Sequence, residues 1–364
     1  MSDVSEKKPR PVRRQRSIYQ VHYCLQKQRE EMAKPFGELK DVQVSAYDRQ
    51  VAGHRTTKDT KYLGLLQCNN GTILKPILKQ SQQREVEFYK RLSTTEDPDL
   101  QELRKFTPKY YGTRNFTYNG HEQEYIILED LTEGMVEPCI MDLKIGKRTW
   151  DPLADEEKIA KEKTKYALCK QQYGFCIPGY QVYKLSSGKL HKFNKEYGKN
   201  LHGQLVIENI RNFLNGTERG VCRALVLQLL TQVWRIHEWT KRARPLRLHS
   251  ASLLLVYDAT ELRRCCPPPA DALDRLHQNH SFNHNYDDNL CKIRVDYRAA
   301  LDRLSRDAGQ TPSWARVTLI DFVHAFFNDE VETPTTDDNI KEGLDNFVAI
   351  LETFLRETVD QIKW

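Results

Sequence analysis

No stretch of this sequence is long and apolar enough for a transmembrane helix, which needs a run of about 18 or more apolar residues. The first residues also lack the apolar core of a secretory signal. The nine cysteines form no Cys-x-x-Cys pair, so neither a zinc site nor a disulfide framework is indicated. We therefore expect a soluble protein whose thiols are reduced, as they are inside cells.

What is present is the composition of a folded chain with a charged surface. The 364 residues are 39% hydrophobic and 29% charged, and the formal net charge is +6. That length suits one two-lobed domain or two ordinary ones. Six of the 56 lysine and arginine residues are crowded between Lys7 and Arg16, so residues 1–17 are predicted to form a basic tail. Such a tail is either solvated and disordered or a segment for nuclear import or nucleic-acid contact, and the sequence does not distinguish these alternatives.

Apolar periodicity divides the rest of the chain into two lobes. An N-lobe over residues 18–130 is predicted from short strands around one amphipathic helix. Within it, Asn70-Gly71 is typical of a tight turn between paired strands. A C-lobe over residues 131–364 is expected to hold the longer helices, and its insert at 259–313 is expected to be partly disordered. The expected strands span 51–54, 62–67, 72–77, 124–130, 179–183, 252–257 and 316–321, and the expected helices span 84–92, 155–172, 205–214, 221–241 and 340–359.

A lysine and a glutamate in the N-lobe are spaced for an ion pair. Lys75 lies in a strand between Ile73 and Ile77, which alternate onto its own face. Such a lysine is either an edge residue whose ammonium reaches water or the partner of an anion. In the next helix, Glu85 shares an apolar stripe with Phe88. A glutamate on an apolar stripe needs a cation, so we predict that Glu85 orients Lys75 towards the phosphates of ATP.

The apolar segment 125–131 has the pattern expected of a hinge between two lobes. It is a strand that ends in two acidic residues. Adenine is usually held at such a hinge by a backbone carbonyl and a backbone amide. Glu129 and Leu131 are predicted to supply these two backbone groups.

The most specific pattern in the chain is Pro138-Cys-Ile-Met-Asp142-Leu-Lys144-Ile-Gly146. In an extended segment Asp142 and Lys144 share one face, and Gly146 permits a sharp turn after them. By spacing alone the pair could be a surface salt bridge. The pattern Pro-x-x-x-Asp-x-Lys-x-Gly, however, is the hallmark of the inositol polyphosphate kinase family, and every fixed position is matched. Together with family-like segments at 51–54, 71–75, 84–89, 252–258, 320–324 and 343–347, the chain resembles that family over about residues 45–258 and 315–357.

The resemblance implies a fold and a set of roles. The fold is α+β and two-lobed, like that of protein kinases and of the ATP-grasp-like type, with a small helical element for the inositol phosphate. By resemblance, Asp142 binds the ATP ribose and Lys144 contacts the transferred phosphate or the acceptor. Asp321 holds Mg²⁺ with Ser252 beside it, and His324 faces the acceptor hydroxyl or a neighbouring phosphate. The expected cofactors are therefore ATP and Mg²⁺.

Two signatures of protein kinases are absent. No Gly-x-Gly-x-x-Gly precedes Lys75, and the segment Leu248-His-Ser-Ala251 lacks the aspartate of a His-Arg-Asp loop. A protein substrate is therefore disfavoured, and no general base is evident. Phosphoryl transfer tolerates this absence because positioning and electrostatics carry most of the reaction.

The segment 155–172 offers a basic surface for a phosphorylated acceptor. If it is one helix, Lys158, Lys161 and Lys165 fall on one face. Such a face is either solvated or a phosphate site, and its place directly after the family motif favours the phosphate site. Lys158 and Lys165 are the predicted substrate contacts. Only 32 residues, 147–178, separate Gly146 from the next expected strand, which by resemblance leaves an open site for several inositol phosphates.

These observations favour the multikinase branch of the family. By resemblance, the expected acceptors are inositol tris- and tetrakisphosphates at the 3- and 6-hydroxyls, with a phosphoinositide head group as a further candidate. One alternative is an inositol hexakisphosphate kinase that makes pyrophosphates, and another is a non-catalytic nuclear scaffold. We expect a monomer in the nucleus and the cytoplasm, without a specific nucleic-acid partner.

Overall fold

A computed structural model describes residues 42–52, 64–217, 220–244, 246–266, 299, 301, 314–328 and 335–359. The basic tail, His54 and most of the insert at 259–313 lie outside the described residues. All of the described strands and helices belong to one compact unit, Val44–Trp364. Within the described residues, no helix combines the length and the apolar character needed to cross a membrane.

The N-lobe is built on an antiparallel sheet of five strands. These are β1 (Val44–Ala46), β2 (Leu66–Cys68), β3 (Thr72–Pro76), β4 (Tyr110–Tyr118) and β5 (His121–Glu129), in the order β1-β2-β3-β5-β4. The predicted turn at Gly71 joins β2 to β3, and its φ of 78° lies in the left-handed region that glycine tolerates best. The strand expected at 51–54 was wrong in its described part, since Val51 and Ala52 follow the end of β1 without strand pairing.

Among the described residues, two helices accompany this sheet in the N-lobe. They are α1 (Gln83–Thr94) and α2 (Pro98–Leu103), accompanied by short 3₁₀ turns at Gln80–Gln82 and Arg104–Phe106. The apolar stripe of α1 is buried as predicted and includes the carboxylate of Glu85. Asp97 caps α2, because its side chain accepts a hydrogen bond from the amide of Leu100 at 3.0 Å.

The C-lobe contains a second antiparallel sheet of five strands. These are β6 (Pro138–Ile145), β7 (Phe175–Tyr183), β8 (Leu190–Phe193), β11 (Ser252–Asp258) and β12 (Ala315–Ile320), in the order β12-β11-β6-β7-β8. The family motif therefore forms the central strand, β6. Its residues alternate between two faces. Met141 and Leu143 enter the main hydrophobic core, whereas Ile140 joins a smaller apolar cluster on the face that Asp142 and Lys144 share.

A bulge in β7 lies beside the motif. Asp142 is opposite Gly179 but Lys144 is opposite Cys176, so β7 carries one extra residue between these two pairs. Pro178 lies within this bulge, where a residue without a backbone N–H is tolerated.

Within the described residues, the C-lobe also contains seven helices. They are α3 (Glu156–Thr164), α4 (Ala167–Tyr173), α5 (Lys195–Lys199), α6 (Gln204–Phe213), α7 (Arg223–Thr240), α8 (Ala259–Cys265) and α9 (Asp338–Arg356). The long helices α7 and α9 pack against each other, and they contact β12 and β6 respectively. Two small sheets complete the lobe: β10 (Leu246–Leu248) pairs with β13 (Ala325–Phe327), and β9 (Val221–Cys222) pairs with β14 (Thr358–Val359).

The single helix predicted over 155–172 was wrong. The structure divides this segment into α3 and α4, and the break falls at Tyr166, whose φ of 54° is left-handed. A left-handed residue reverses the helical path, so Lys165 lies at the end of α3 instead of continuing its face. The basic face predicted for this segment therefore does not exist as a continuous helical surface.

Gly179 allows the segment after β1 to cross onto the second sheet. A Cβ atom at this position would lie 2.4 Å from the carbonyl oxygen of Val51 and 3.0 Å from that of Phe193. Both neighbours are backbone atoms, which cannot rotate away. The crossing is held further by Lys192, whose Nζ donates to the carbonyl of Asp48 at 2.9 Å.

We expect Gly179→Ala to lower the free energy of unfolding by roughly 2–3 kcal/mol, because the added methyl group overpacks this crossing. Gly188→Ala in the same hairpin is the matched control. Gly188 has a φ of 65° but no atom within 4 Å of an added Cβ, so its cost of about 1 kcal/mol comes from the backbone alone. Urea unfolding of the two variants checks this difference, and equal losses would contradict the close approach at Val51.

Candidate functional site

The ammonium of Lys75 is held between two carboxylates. Its Nζ lies 2.8 Å from Glu85 Oε2 and 2.7 Å from Asp321 Oδ1. Burial by itself lowers the pKa of Lys75, but the charges of Asp321 and Glu85 outweigh burial and raise it. For Asp321, burial alone raises the pKa, and the charge of Lys75 holds it below its ordinary value. Lys75 is therefore a fixed cation, as the spacing of the sequence predicts for the pair with Glu85.

Helix α1 also fixes the segment that carries Asp321. The backbone amide of Phe322 donates to Glu85 Oε1 at 3.1 Å, and the ring of Phe322 stacks on Phe88 with centroids 4.0 Å apart. Asp321 has a φ of 65°, which is uncommon for a residue other than glycine. Backbone strain of this kind costs on the order of 1–3 kcal/mol and persists only where surrounding contacts enforce it. Here the contacts from α1 enforce it.

Asp142 is a buried carboxylate with an unfilled acceptor. Burial raises its pKa to about 6, and the negative charge of Asp321 adds to this effect, while Lys144 opposes it. Asp142 Oδ1 and the hydroxyl of Ser252 are both buried; the hydroxyl is close enough to Asp142 to lower its pKa, but neither atom makes a hydrogen bond of good geometry to a described residue. Buried polar atoms normally have partners, so these two atoms indicate room for a bound group.

These oxygens suit a nucleotide-bound Mg²⁺ better than a metal ion held by protein alone. Within the described part of the chain, no cluster of three or more His, Cys, Asp or Glu is arranged to bind a metal. Mg²⁺ is usually bound through one or two carboxylates, with water and substrate phosphates filling the other positions. Asp321 and Asp142, with Ser252 beside them, fit that description.

Lys144 extends from β6 towards the turn before β11. Its Nζ donates to the hydroxyl oxygen of Ser250 at 2.7 Å and to the Ser250 carbonyl at 3.1 Å. Ser250 has a φ of 62°, so a second left-handed residue lies at the site. Lys144 forms no ion pair with a described residue, although its charge acts on both Asp142 and Asp321. The surface salt bridge that spacing alone allowed between Asp142 and Lys144 is not formed.

His324 belongs to a hydrogen-bonded group. Its Nδ1 contacts Asp151 Oδ2, which also accepts from Arg84 Nη1 at 3.3 Å. Burial lowers the pKa of His324, Asp151 raises it, and the charge of Lys158 lowers it further. The carbonyl of His324 accepts from the amide of His249 at 3.1 Å, so the backbone is fixed as well.

Lys158 and Lys165 have different surroundings. Lys158 forms no ion pair with a described residue, and its charge acts on both His324 and Asp151. Lys165 pairs with Glu162 at 2.6 Å. Lys158 is therefore the more available cation beside the predicted acceptor position.

Lys170 has a structural role that sequence spacing did not reveal. It is buried, and its Nζ donates to the carbonyl of Glu162 at 2.5 Å and to the hydroxyl of Thr149 at 3.2 Å. Burial lowers its pKa. Lysine near a helix C-terminus satisfies free carbonyls there, so Lys170 closes the end of α3 at the break.

The segment predicted to be a hinge contains the end of β5 and the residues directly after it. The side chain of Glu129 pairs with Arg316 at 2.8 Å, and its amide donates to the carbonyl of Lys109. The amide and the carbonyl of Leu131 make no hydrogen bond to any other described residue, which leaves both groups for a ligand. Nearby on the second sheet lies the small apolar cluster formed by Met135, Ile140 and Val256, with Val51 and Leu254 packed against it.

Sequence reasoning missed Asp151, Arg84 and Ser250. Asp151 follows the motif and precedes a proline, and nothing in its local pattern predicts burial. Arg84 directly precedes Glu85 in the first turn of α1. Its position next to a buried carboxylate is the sequence signal that could have identified it.

We expect Lys75→Met to lower the free energy of unfolding by about 3–5 kcal/mol, because it leaves Glu85 buried without its cation. Adding Glu85→Gln should recover part of this loss, since the buried charge is then removed. Lys90→Met is the matched control on an exposed face of α1, where a change within about 0.5 kcal/mol is expected. Urea unfolding measures these differences. If the double variant Lys75→Met/Glu85→Gln is no more stable than Lys75→Met, the unpaired charge of Glu85 is not the cause of the loss.

The raised pKa of Asp142 predicts a stability gain on its removal. The folded pKa is above the unfolded value of 3.8, so the stability due to the neutral carboxyl is present at low pH and is lost as the pH rises through about 6. At about 1.4 kcal/mol per unit, Asp142→Asn should stabilise the nucleotide-free protein by roughly 3 kcal/mol at pH 8, and by less at pH 5. Thermal unfolding across this range tests the trend, with Glu122→Gln as an exposed control. A gain that does not grow with pH would refute the electrostatic cause.

Comparisons with known proteins identify the family of this chain. The family model described as inositol polyphosphate kinase matches residues 125–352. The inositol polyphosphate multikinase of Rattus norvegicus is 36% identical over 216 residues, which are 58% of this chain and 53% of that protein. Inositol polyphosphate multikinase alpha of Arabidopsis thaliana is 28% identical over 275 residues, or 69% of this chain and 94% of that protein. The chain spans about half the length of the mammalian relatives that it matches.

A solved structure shows the same fold. It is that of the inositol phosphate multikinase of S. cerevisiae in complex with ADP and Mn²⁺, with a TM-score of 0.53 and 23% identity over 78% of this chain and 99% of that chain. This likeness confirms the two-lobed, protein-kinase-like α+β fold that the sequence predicts. Because the family model also covers more than half of the 364 residues, the chain belongs to the inositol polyphosphate kinase family.

Proposed function

We propose that this chain is an ATP-dependent multikinase that transfers the γ-phosphate to the 3- and 6-hydroxyls of inositol tris- and tetrakisphosphates. A phosphoinositide head group is proposed as a further acceptor. One observation carries this proposal: two groups of charged side chains lie close together at β6. The first is the Lys75–Asp321 ion pair with Asp142 beside it. The second consists of the ammonium groups of Lys144 and Lys158, which both act on His324. Family membership and relatives named as multikinases support it.

The nucleotide half would use carboxylates, an ammonium and the hinge. Lys75 faces three carboxylates, those of Glu85, Asp142 and Asp321, so the pocket carries an excess of negative charge. Mg²⁺, when bound with ATP, would neutralise that excess and the developing charge of the phosphoryl group. The two unfilled backbone groups of Leu131 would hold adenine. The structure containing ADP and Mn²⁺ is support from a relative for such use.

The acceptor half would recognise a ring that carries several dianionic phosphates. Lys144 reaches it from β6 and Lys158 from the first turn of α3, and His324 stands beside both. Lys165 would also serve, by exchanging its pairing with Glu162 for a phosphate. Charge-assisted hydrogen bonds of this kind are the strong class, so loss of one should be visible in the binding of the acceptor.

The test is turnover of inositol 1,4,5-trisphosphate by the purified full chain with Mg²⁺ and ATP. We expect tetrakis- and pentakisphosphate products that disappear in Asp142→Ala and Lys144→Ala. Vesicles that contain phosphatidylinositol 4,5-bisphosphate test the lipid acceptor separately. Consumption of inositol hexakisphosphate, with the trisphosphate untouched, would replace this proposal by a pyrophosphate-forming kinase. Bound ADP without turnover of any acceptor would favour a non-catalytic scaffold.

Lys158→Ala tests the acceptor half by itself. Loss of a charge-assisted hydrogen bond of about 1.5 kcal/mol or more should raise the KM for the trisphosphate at least about tenfold. The KM for ATP should stay unchanged. Lys161→Ala is the matched control on the same helix, because its ammonium is exposed and paired with Glu157. Equal effects of the two substitutions would show that only the net charge of α3 matters.

A further inference from the structure

Asp151 is a buried carboxylate to which the proposed function assigns no role. Its side chain is only 3% exposed. Its two oxygens have three partners: Oδ2 contacts His324 Nδ1 and Arg84 Nη1, and Oδ1 accepts from the amide of Leu153 at 2.9 Å. Burial alone raises the pKa of Asp151, but the hydrogen bonds from His324 and from the amide of Leu153, together with the charge of Lys158, help to hold it below its ordinary value. Asp151 is therefore an ionised and oriented acceptor.

An ionised acceptor at Nδ1 decides how His324 carries its proton. In a neutral imidazole one ring nitrogen donates and the other accepts. Because Asp151 can only accept, the proton lies on Nδ1, and Nε2 keeps its lone pair. The balance of burial and the neighbouring charges of Lys158 and Lys144 lowers the pKa of His324, which favours this neutral form. His324 is also partly exposed, at 21% of its side chain, beside the two lysines of the acceptor half.

Arg84 connects this pair to the nucleotide half. Its Nη1 lies 3.3 Å from Asp151 Oδ2 and 3.3 Å from the carbonyl oxygen of Val323. The next residue, Glu85, binds Lys75 and the amide of Phe322. Arg84 and Glu85, at the start of α1, therefore both bind the backbone of the short segment 322–323.

Resting on the proposed function, we propose that Asp151 is a positioning residue that orients His324 so that Nε2 accepts the proton of the acceptor hydroxyl. In that step the hydroxyl O–H bond breaks and its proton moves to Nε2. The oxygen forms a bond to the γ-phosphorus of ATP, and the bond from that phosphorus to the bridging oxygen breaks with its electron pair, which leaves ADP. The sequence showed no general base, and this pair supplies one.

A double-mutant cycle measures whether Asp151 acts through His324. Removal of a general base costs on the order of 100-fold in kcat or more, so we expect such a loss in His324→Ala. Asp151→Asn keeps the shape but offers an amide that no longer fixes the tautomer, and we expect kcat to fall at least about tenfold with the KM for ATP unchanged. Two residues that act as one unit are not additive, so the double variant should be no slower than His324→Ala.

The protein contains a matched control for this substitution. His237 Nε2 lies 2.5 Å from Asp345 Oδ1 in a second His–Asp pair that belongs to helices α7 and α9. Asp345→Asn should lower thermal stability, as Asp151→Asn also should, but leave kcat unchanged. If Asp345→Asn lowers kcat equally, or if the losses in the Asp151/His324 cycle multiply, a catalytic positioning role is wrong.

Imidazole ¹⁵N NMR of the full, nucleotide-free chain separates this inference from the proposed function. The His324 signals, assigned by their loss in His324→Ala, should show a protonated Nδ1 and a free Nε2. In Asp151→Asn, the two tautomers should be mixed. A proton on Nε2 in the unsubstituted protein overturns the inference whatever the activity. Absence of kinase activity with the expected tautomer would instead reject the proposed function and leave Asp151 as the group that orients His324.

Discussion

The site depends on one ammonium group that is surrounded by carboxylates from distant parts of the chain. Lys75 comes from a strand, Glu85 from the helix after it, and Asp321 from the C-lobe. Removing these charges from water has a large cost that is offset only if all of them are paired and well placed. The arrangement therefore fixes how the N-lobe packs against the C-lobe. The stacked rings of Phe88 and Phe322 add apolar contact at the same junction.

Helix α1 connects the N-lobe sheet to the segment after β12, which carries Asp321 and His324. Its core stripe attaches it to the N-lobe sheet, while its first turn reaches the segment after β12. The lobes are thus joined at the N-terminus of a rigid helix. Strand β5 supplies a second connection between the lobes, through the ion pair of Glu129 with Arg316. Two such connections restrict relative motion more than either would alone.

Much of this architecture could be predicted from local sequence. The Asn-Gly turn, the stripe of α1 and the alternation in β6 each have a short-range cause, and the elements appear where those causes place them. The pairing of Lys75 with Glu85 followed from a buried acid that needs a cation. The contact of Lys75 with Asp321 has no such signal, because 246 residues separate them and only the tertiary fold brings them together. The roles predicted for Asp142, Lys144 and Asp321 remain predictions.

Prediction from the sequence failed where a helix ends without the glycine or proline that usually marks such an end. Residues 155–172 contain neither glycine nor proline, so periodicity alone predicts one helix. The structure ends α3 at Thr164, because Tyr166 adopts a left-handed conformation and the buried ammonium of Lys170 satisfies a carbonyl in the last turn. Asp151 was missed for a related reason: its burial is decided by His324 and Arg84, which approach it from other elements.

The short helix α3 has a property that the rest of the site does not share. None of its residues is buried, and its ends are fixed by Asp155 at the start and by Lys170 after the break. Substitutions along this helix therefore do not disturb core packing, whereas nearly any change in β6 does. Selection can therefore alter the surface of α3 while β6, the strand that contains the family motif, stays unchanged. Tolerance to mutation is thus unequal between these two neighbouring elements, and if α3 contacts the acceptor as proposed, new acceptor preferences can arise there at little risk to folding.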